Sequence, residues 1–149
     1  TLEGRVVGIL VSEGSDDAML AKLRKAVENA GARVKVVAPR VGVRLKDGTQ
    51  LAADGQLAGT PSLVFDAVAS ILAPEEGEKL AGNAVAVEWF ANAYAHLKAI
   101  AACKGTQVIL TKANVEADAG VVAIEDVEGF VHAAKLRQWA REPKVRDLA

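Results

Sequence analysis

Two kinds of hydrophobic pattern alternate along the chain, and together they predict an α/β protein. Near-continuous apolar runs at 5–12 and 33–39 are typical of strands buried on both faces of a parallel sheet. Between them, Leu20, Leu23 and Val27 recur at helical spacing, which predicts an amphipathic helix. A strand, a helix and a second strand in succession indicate a right-handed crossover.

Helix boundaries are marked by residues that cap helices. Ser15 is predicted to cap the first helix, and Gly31 suits its stop. The acidic pairs 16–17 and 75–76 stand at predicted helix starts. We interpret them as charges favoured at the positive amino end of a helix rather than as acid/base pairs.

The rest of the chain adds a hairpin and three more strand and helix pairs. Segment 42–53 alternates around Asp47-Gly48, a two-residue hairpin signal. Further strands are predicted at 67–72, 98–102 and 120–125, with helices over 73–97 broken near Gly82, from about Gly105, and over 126–142 ending before Pro143. This order predicts one domain over 1–149, a three-layer flavodoxin-like sandwich with a mostly parallel sheet and an added hairpin.

Composition narrows the classes of function. A net charge of -1 predicts no attraction to nucleic acid or to an anionic membrane, and no apolar run approaches the roughly 20 residues of a membrane span. The single cysteine excludes an internal disulfide and predicts a reducing, cytoplasmic setting. His96 and His132 are isolated, so no metal site is expected. The first strand-to-helix turn, "SEGSDD", lacks a phosphate-binding glycine pattern, so no flavin or nucleotide is expected either.

Cys103 is the main candidate for chemistry. It follows a predicted strand and precedes a predicted helix, where backbone N–H groups favour a thiolate and stabilise an oxyanion. Free cysteine is also among the most buried residue types, so a structural role in an alanine-rich strand stays open.

The segment "HLKAIAACKGTQVIL" resembles the nucleophile elbow of the class I glutamine amidotransferase-like superfamily, especially its PfpI-like members. Three departures from that pattern predict a lost nucleophile. The strand before Cys103 is one residue short, Lys104 replaces the histidine of many members, and "LAPEEG" replaces a glycine pair. Asp16 matches the position of the family's glutamate, although capping is its simplest role.

A second resemblance covers nearly the whole chain. The segments "LEGRVVGIL", "DGTQLAADGQLAGTPSLVFDAV", "AYAHLKAIA" and "LRQWAREPKV" resemble, in order, the C-terminal domain of large-subunit catalases. That resemblance implies a haem in the core of the parent enzyme, where hydrogen peroxide is decomposed. It implies no haem ligand and no catalase activity in this chain.

The closing helix predicts an interaction surface. Val127, Phe130 and Val131 form one apolar face, whereas Leu136 and Trp139 point to another side. We interpret Leu136 and Trp139 as an interface with the rest of the parent chain or a neighbouring subunit of a homo-oligomer. The alternative is that Trp139 folds over the domain's own edge.

Three hypotheses of function follow. The first is a non-catalytic accessory domain that stabilises a large catalase oligomer or shapes access to its haem channel. The second is a PfpI-like cysteine hydrolase or glyoxalase-type enzyme that uses Cys103, with Asp16 as the surviving partner. The third is a chaperone-like module, as the superfamily resemblance implies.

Overall fold

The computed structural model describes residues 1–148 and places six strands in one parallel sheet. These six are β1 (Val6–Val11), β2 (Arg33–Ala38), β5 (Gly55–Gln56), β6 (Ala67–Ile71), β7 (Ala99–Ala102) and β8 (Val121–Ala123), and β3 (Gly42–Arg44) and β4 (Gln50–Ala52) form a separate antiparallel hairpin. The sheet order is β5-β2-β1-β6-β7-β8, and all of its pairs are parallel. The predicted fold class is confirmed.

Helices cover both faces of this sheet. They are α1 (Asp17–Asn29), α2 (Pro74–Ala81), α3 (Ala84–Ala95), α4 (Gln107–Lys112), α5 (Val127–Ala134) and α6 (Glu142–Leu148). Helices α1 and α5 pack their apolar side chains into one core, and α2, α3, α4 and α6 pack into the other. Buried strand residues alternate between the two cores, as expected for a strand covered on both sides.

Two predicted details of the turns are wrong. Asp16, not Ser15, caps α1, because its Oδ1 accepts from the Met19 N–H at 3.0 Å. The Ser15 hydroxyl instead accepts from the Ser12 N–H and donates to the carbonyl of Ile71. The hairpin β3–β4 closes by a five-residue loop, since Arg44 pairs with Gln50.

The closing helix is also shorter than predicted. Helix α5 ends at Ala134, and residues 139–141 form a 3₁₀ turn that leads into α6. Pro143 lies in the first turn of α6, a position that needs no backbone N–H, so it opens a helix rather than stopping one. Leu136 and Trp139 therefore lie on a connecting segment and not on a second face of α5.

Candidate functional site

The strand-to-helix bend after β7 carries Cys103 at the carboxyl edge of the sheet. Residues 104–106 form a 3₁₀ turn that continues into α4. Cys103 has φ of -89° and ψ of 174°, which is relaxed extended backbone. A nucleophile elbow is a sharp, strained turn, and in residues 1–148 positive φ at non-glycine positions occurs at Leu97 and Asn114. The backbone at Cys103 therefore lacks the strain typical of that motif.

A short polar network encloses the half-buried Cys103 thiol. Its Sγ accepts from the Leu72 N–H at 3.2 Å and donates to the Leu72 carbonyl at 3.3 Å. Thr106 Oγ1 lies 3.2 Å from the sulfur and 2.7 Å from the hydroxyl of buried Ser70. Leu72 follows β6, where the sequence has no glycine pair. Its N–H is bonded to the thiol and is not free for a bound oxyanion.

Next to the thiol is an open cavity of about 580 Å³. Its apolar walls include Met19, Ile71, Pro74, Cys103 and Ile124. Its charged walls include Asp16, Lys46, Glu75, Lys104 and Glu125. The structure thus brings the two predicted candidates, Cys103 and Asp16, to one cavity. Asp16 accepts a hydrogen bond that caps its own helix, while the hydrogen bonds of Cys103 join it to Leu72 and Thr106.

Glu76 makes a contact at the same edge that the sequence did not reveal. Its carboxylate accepts a hydrogen bond from the hydroxyl of buried Ser12 and pairs with Lys79 at 3.2 Å. Burial raises the pKa of Glu76, but the bonds to Ser12 and Lys79 outweigh it, and the net pKa is lowered. The predicted position of Glu75 and Glu76 in the first turn of α2 is confirmed.

At the opposite edge of the sheet, Leu136 and Trp139 are exposed. The two residues retain 65% and 66% of their accessible surface. Trp139 is therefore not covered by the edge of its own domain. Leu136 borders a small cavity with Arg5, Asp66 and other residues that directly precede β1, β6 and β7.

Hydrogen bonds hold the segment that carries these two side chains. The Gln138 N–H donates to the Leu97 carbonyl at 2.8 Å, and its amide donates to the Ala133 carbonyl at 2.9 Å. Such a fixed segment presents Leu136 and Trp139 with little conformational freedom left to lose on binding.

Arg141 anchors the end of this segment in the domain. It is 4% exposed, and its guanidinium forms a bidentate pair with Asp118 at 2.8 and 3.0 Å. It also donates to the carbonyls of Tyr94 and Lys98, both at 3.0 Å, and lies 4.3 Å from the centre of the Tyr94 ring. Periodicity gives no signal for this contact, because Asp118 and Arg141 lie far apart in sequence.

Two negative findings apply to residues 1–148. No group of three or more His, Cys, Asp and Glu side chains is arranged to hold a metal ion. Within the same range, no helix has the length and apolar character needed to cross a bilayer.

We expect Cys103 to react slowly in the native chain. A half-buried thiol bonded to Leu72 should react with iodoacetamide about tenfold more slowly than the same thiol in unfolded protein. The rate at neutral to mildly alkaline pH, followed by mass spectrometry, checks this, and the denatured chain is the control. A native rate above the denatured rate would instead indicate an activated nucleophile.

Comparison with solved structures defines the class of fold as that of DJ-1/PfpI-like proteins. A DJ-1 superfamily protein from Salmonella typhimurium aligns with a TM-score of 0.72 and 17% identity, over 97% of this chain and 96% of that one. Drosophila melanogaster DJ-1beta aligns with a TM-score of 0.72 and 14% identity, over 96% of each chain.

The sequence model described as the C-terminal domain found in long catalases matches residues 3–138, and the chain belongs to that family. "Catalase C" of Rhizobium meliloti (strain 1021) is 35% identical over 97% of this chain and 21% of its own length. "Catalase HPII" of Pseudomonas putida is 32% identical over 95% of this chain and 20% of its own. The chain thus spans about a fifth of the length of these relatives. The resemblance to the C-terminal domain of large-subunit catalases is confirmed, and the resemblance to PfpI-like proteins is confirmed for the fold.

Proposed function

We propose that this chain is a non-catalytic accessory domain of a large-subunit catalase and that it stabilises the catalase oligomer. The observation that carries the proposal is the pair of exposed apolar side chains, Leu136 and Trp139, on a segment held by hydrogen bonds. Exposed aromatic side chains on a fixed backbone are typical of residues that dominate binding energy at an interface.

The geometry around Cys103 supports the non-catalytic part of the proposal. The thiol lies on relaxed backbone, and its bonds join it to the Leu72 peptide and the Thr106 hydroxyl. Lys104 takes the position of the superfamily's histidine, and an ammonium group is no general base while it carries its proton.

The same proposal assigns the haem and the decomposition of peroxide to the parent's core. Homo-oligomeric subunits and a cytoplasmic setting belong to this proposal as well.

The cysteine hydrolase is the second candidate, favoured by the cavity of about 580 Å³ beside Cys103. Fast alkylation of the native thiol would support it.

Replacing Trp139 with Ala tests the accessory role. We expect the substitution to weaken subunit association in the long catalase by about 2 kcal/mol, roughly thirtyfold, as for an aromatic interface residue. The folding stability of the domain should change by less than about 0.5 kcal/mol, because the Trp139 side chain packs little against the domain's own core. Sedimentation across a dilution series measures the association.

Val85→Ala provides the matched control. Val85 is also a large apolar side chain with much of its surface exposed, but it lies in the first turn of α3. The Val85→Ala substitution should leave subunit association unchanged. Equal effects of the Trp139 and Val85 substitutions on association would contradict the proposed role of Trp139.

A further inference from the structure

A small cavity of about 150 Å³ lies beside the segment that leads into α6. Its walls come from three parts of the chain: Tyr94 near the end of α3, residues 116–119 before β8, and the segment 138–144. An apolar cavity of about 150 Å³ in an engineered protein holds benzene, a molecule of six non-hydrogen atoms. The cavity therefore has room for a ligand of up to about six such atoms.

Tyr94 is a buried residue of this wall, and its hydroxyl is unpartnered. The residue is 2% exposed, and its hydroxyl makes no hydrogen bond to another group within residues 1–148. Burial raises the pKa of Tyr94 and the Asp118 carboxylate raises it further, against an opposing effect of the Arg141 charge. The hydroxyl thus keeps its proton at neutral pH. A buried hydroxyl of this kind needs an acceptor, which a molecule in the cavity can supply.

Arg141 borders the same cavity and has one unused donor. A guanidinium carries five N–H groups. Nε and Nη2 of Arg141 each donate to Asp118, and Nη1 donates to the carbonyls of Tyr94 and Lys98. One N–H of Nη2 is therefore left without a partner among residues 1–148. The Asp118 carboxylate is neutralised by this pair and also accepts from the Gly120 N–H, so its own bonding is satisfied.

Lys144 and Glu116 form an exposed ion pair at the cavity. Their side chains are 48% and 59% exposed, and water screens such a pair, so it holds its two members weakly. An ammonium group has three N–H donors, and a bond to Glu116 occupies only one of them. Lys144 can therefore donate to a ligand as well, while the Glu116 carboxylate stays in solvent.

The cavity thus joins a phenol O–H, a guanidinium N–H and an ammonium group. All three are hydrogen-bond donors, and two of them carry positive charge. A carboxylate is an acceptor-only group whose two oxygens take about four hydrogen bonds. Its bonds to charged donors are roughly twice as strong as bonds between neutral groups.

We propose that Tyr94, Arg141 and Lys144 form a binding site for a small carboxylate anion of up to about six non-hydrogen atoms. The anion would join the end of α3 to the start of α6. This inference goes beyond the proposed function, because it involves neither the Cys103 thiol nor the association of subunits.

Titration of the 149-residue chain with sodium acetate, at constant ionic strength, tests the site. Tyr94 is the only tyrosine, so isotope labelling of the tyrosine carbon that bears the hydroxyl gives one NMR signal. We expect this signal and the amide signals of Ala117 and Ala119 to shift together and to saturate. For so small a ligand the expected dissociation constant is about 1–10 mM.

Acetamide is the matched control ligand. It has nearly the shape of acetate but no charge, so it should bind at least about tenfold more weakly. Shifts that stay linear in acetate concentration, or that are the same for acetamide, would overturn the carboxylate site.

Two substitutions locate the bound acetate. Tyr94→Phe removes the hydroxyl and keeps the ring, and Lys144→Met removes one exposed charge. Each should weaken acetate binding by about fivefold or more, measured from the amide signals. Lys79→Met is the matched control, because Lys79 is an exposed lysine in an ion pair on α2, and it should leave binding unchanged. Unchanged binding in both Tyr94→Phe and Lys144→Met would place the acetate elsewhere and overturn the proposed site.

Discussion

Replacing Arg141 with Met is expected to lower the free energy of unfolding of the chain by about 3–5 kcal/mol. The substitution leaves the Asp118 carboxylate without its bidentate partner and leaves the carbonyls of Tyr94 and Lys98 without a donor. It also removes the contact that anchors the segment leading to α6. Denaturation in urea, followed by circular dichroism, measures the change.

Arg146→Met is the matched control for this prediction. Arg146 pairs with Glu142 on the surface of α6, and its side chain is largely exposed. Exposed pairs contribute little because solvent screens them. We therefore expect no measurable loss from Arg146→Met, and equal losses from the two substitutions would contradict the role given to Arg141.

The pH dependence of the unfolding free energy provides a further check on the pair of Arg141 and Asp118. Burial raises the pKa of Asp118, but the bonds and charge of Arg141 outweigh it, so the net pKa lies below the ordinary 3.8. A carboxyl group with a lowered folded pKa stabilises the fold above its unfolded pKa. That contribution is lost as the pH falls through the folded pKa. The stability difference between wild type and Arg141→Met should therefore shrink below about pH 4. A constant difference would assign the loss to packing alone.

Replacing Gly77 with Ala is the second substitution with a large expected effect. A Cβ on Gly77 would overlap the carbonyl oxygen of Gly105, in the turn that follows Cys103. Gly105 is itself packed closely against the preceding strand end, because a Cβ on Gly105 would meet the Leu72 carbonyl oxygen. We expect a loss of about 2–3 kcal/mol of unfolding free energy, against the usual gain of about 1 kcal/mol for alanine in a helix.

Gly59→Ala is the control for this close approach. Gly59 lies in a 3₁₀ turn, and a Cβ added there meets nothing within 4 Å. Thermal unfolding of both variants should show a loss for Gly77→Ala alone. If the two variants unfold alike, the packing of α2 against the Cys103 turn is not as described.

Sequence pattern predicted the sheet and its helices well because their signals are local. Apolar runs located β1, β2, β6 and β7, and the spacing of Leu20, Leu23 and Val27 located α1. Strand β5, only two residues long, was missed because its pairing of Gly55 with Val37 has no periodic pattern.

The errors occur where distant contacts decide the structure. Leu136 to Trp139 continue a helical pattern, but bonds from Gln138 to Ala133 and Leu97 end the helix early. Arg141 then fixes the following turn through Asp118, far away in sequence.

The candidate site was predicted in position but not in its contacts. The pattern located Cys103 at the end of β7, yet the bonds of its thiol to Leu72 and Thr106 depend on how β6 and β7 pair. Leu63 and Val64 were missed as surface residues because they lie in the apolar run that leads into β6. An apolar run does not reveal which of its residues remain exposed.

The association of long-catalase subunits shows whether this domain stabilises the oligomer. Sedimentation of the full-length enzyme would be compared with the Trp139→Ala enzyme and with an enzyme that lacks this domain. We expect both changes to shift dissociation to higher protein concentration, with the larger shift on removal of the domain. An oligomer whose dissociation is the same in all three forms would contradict it.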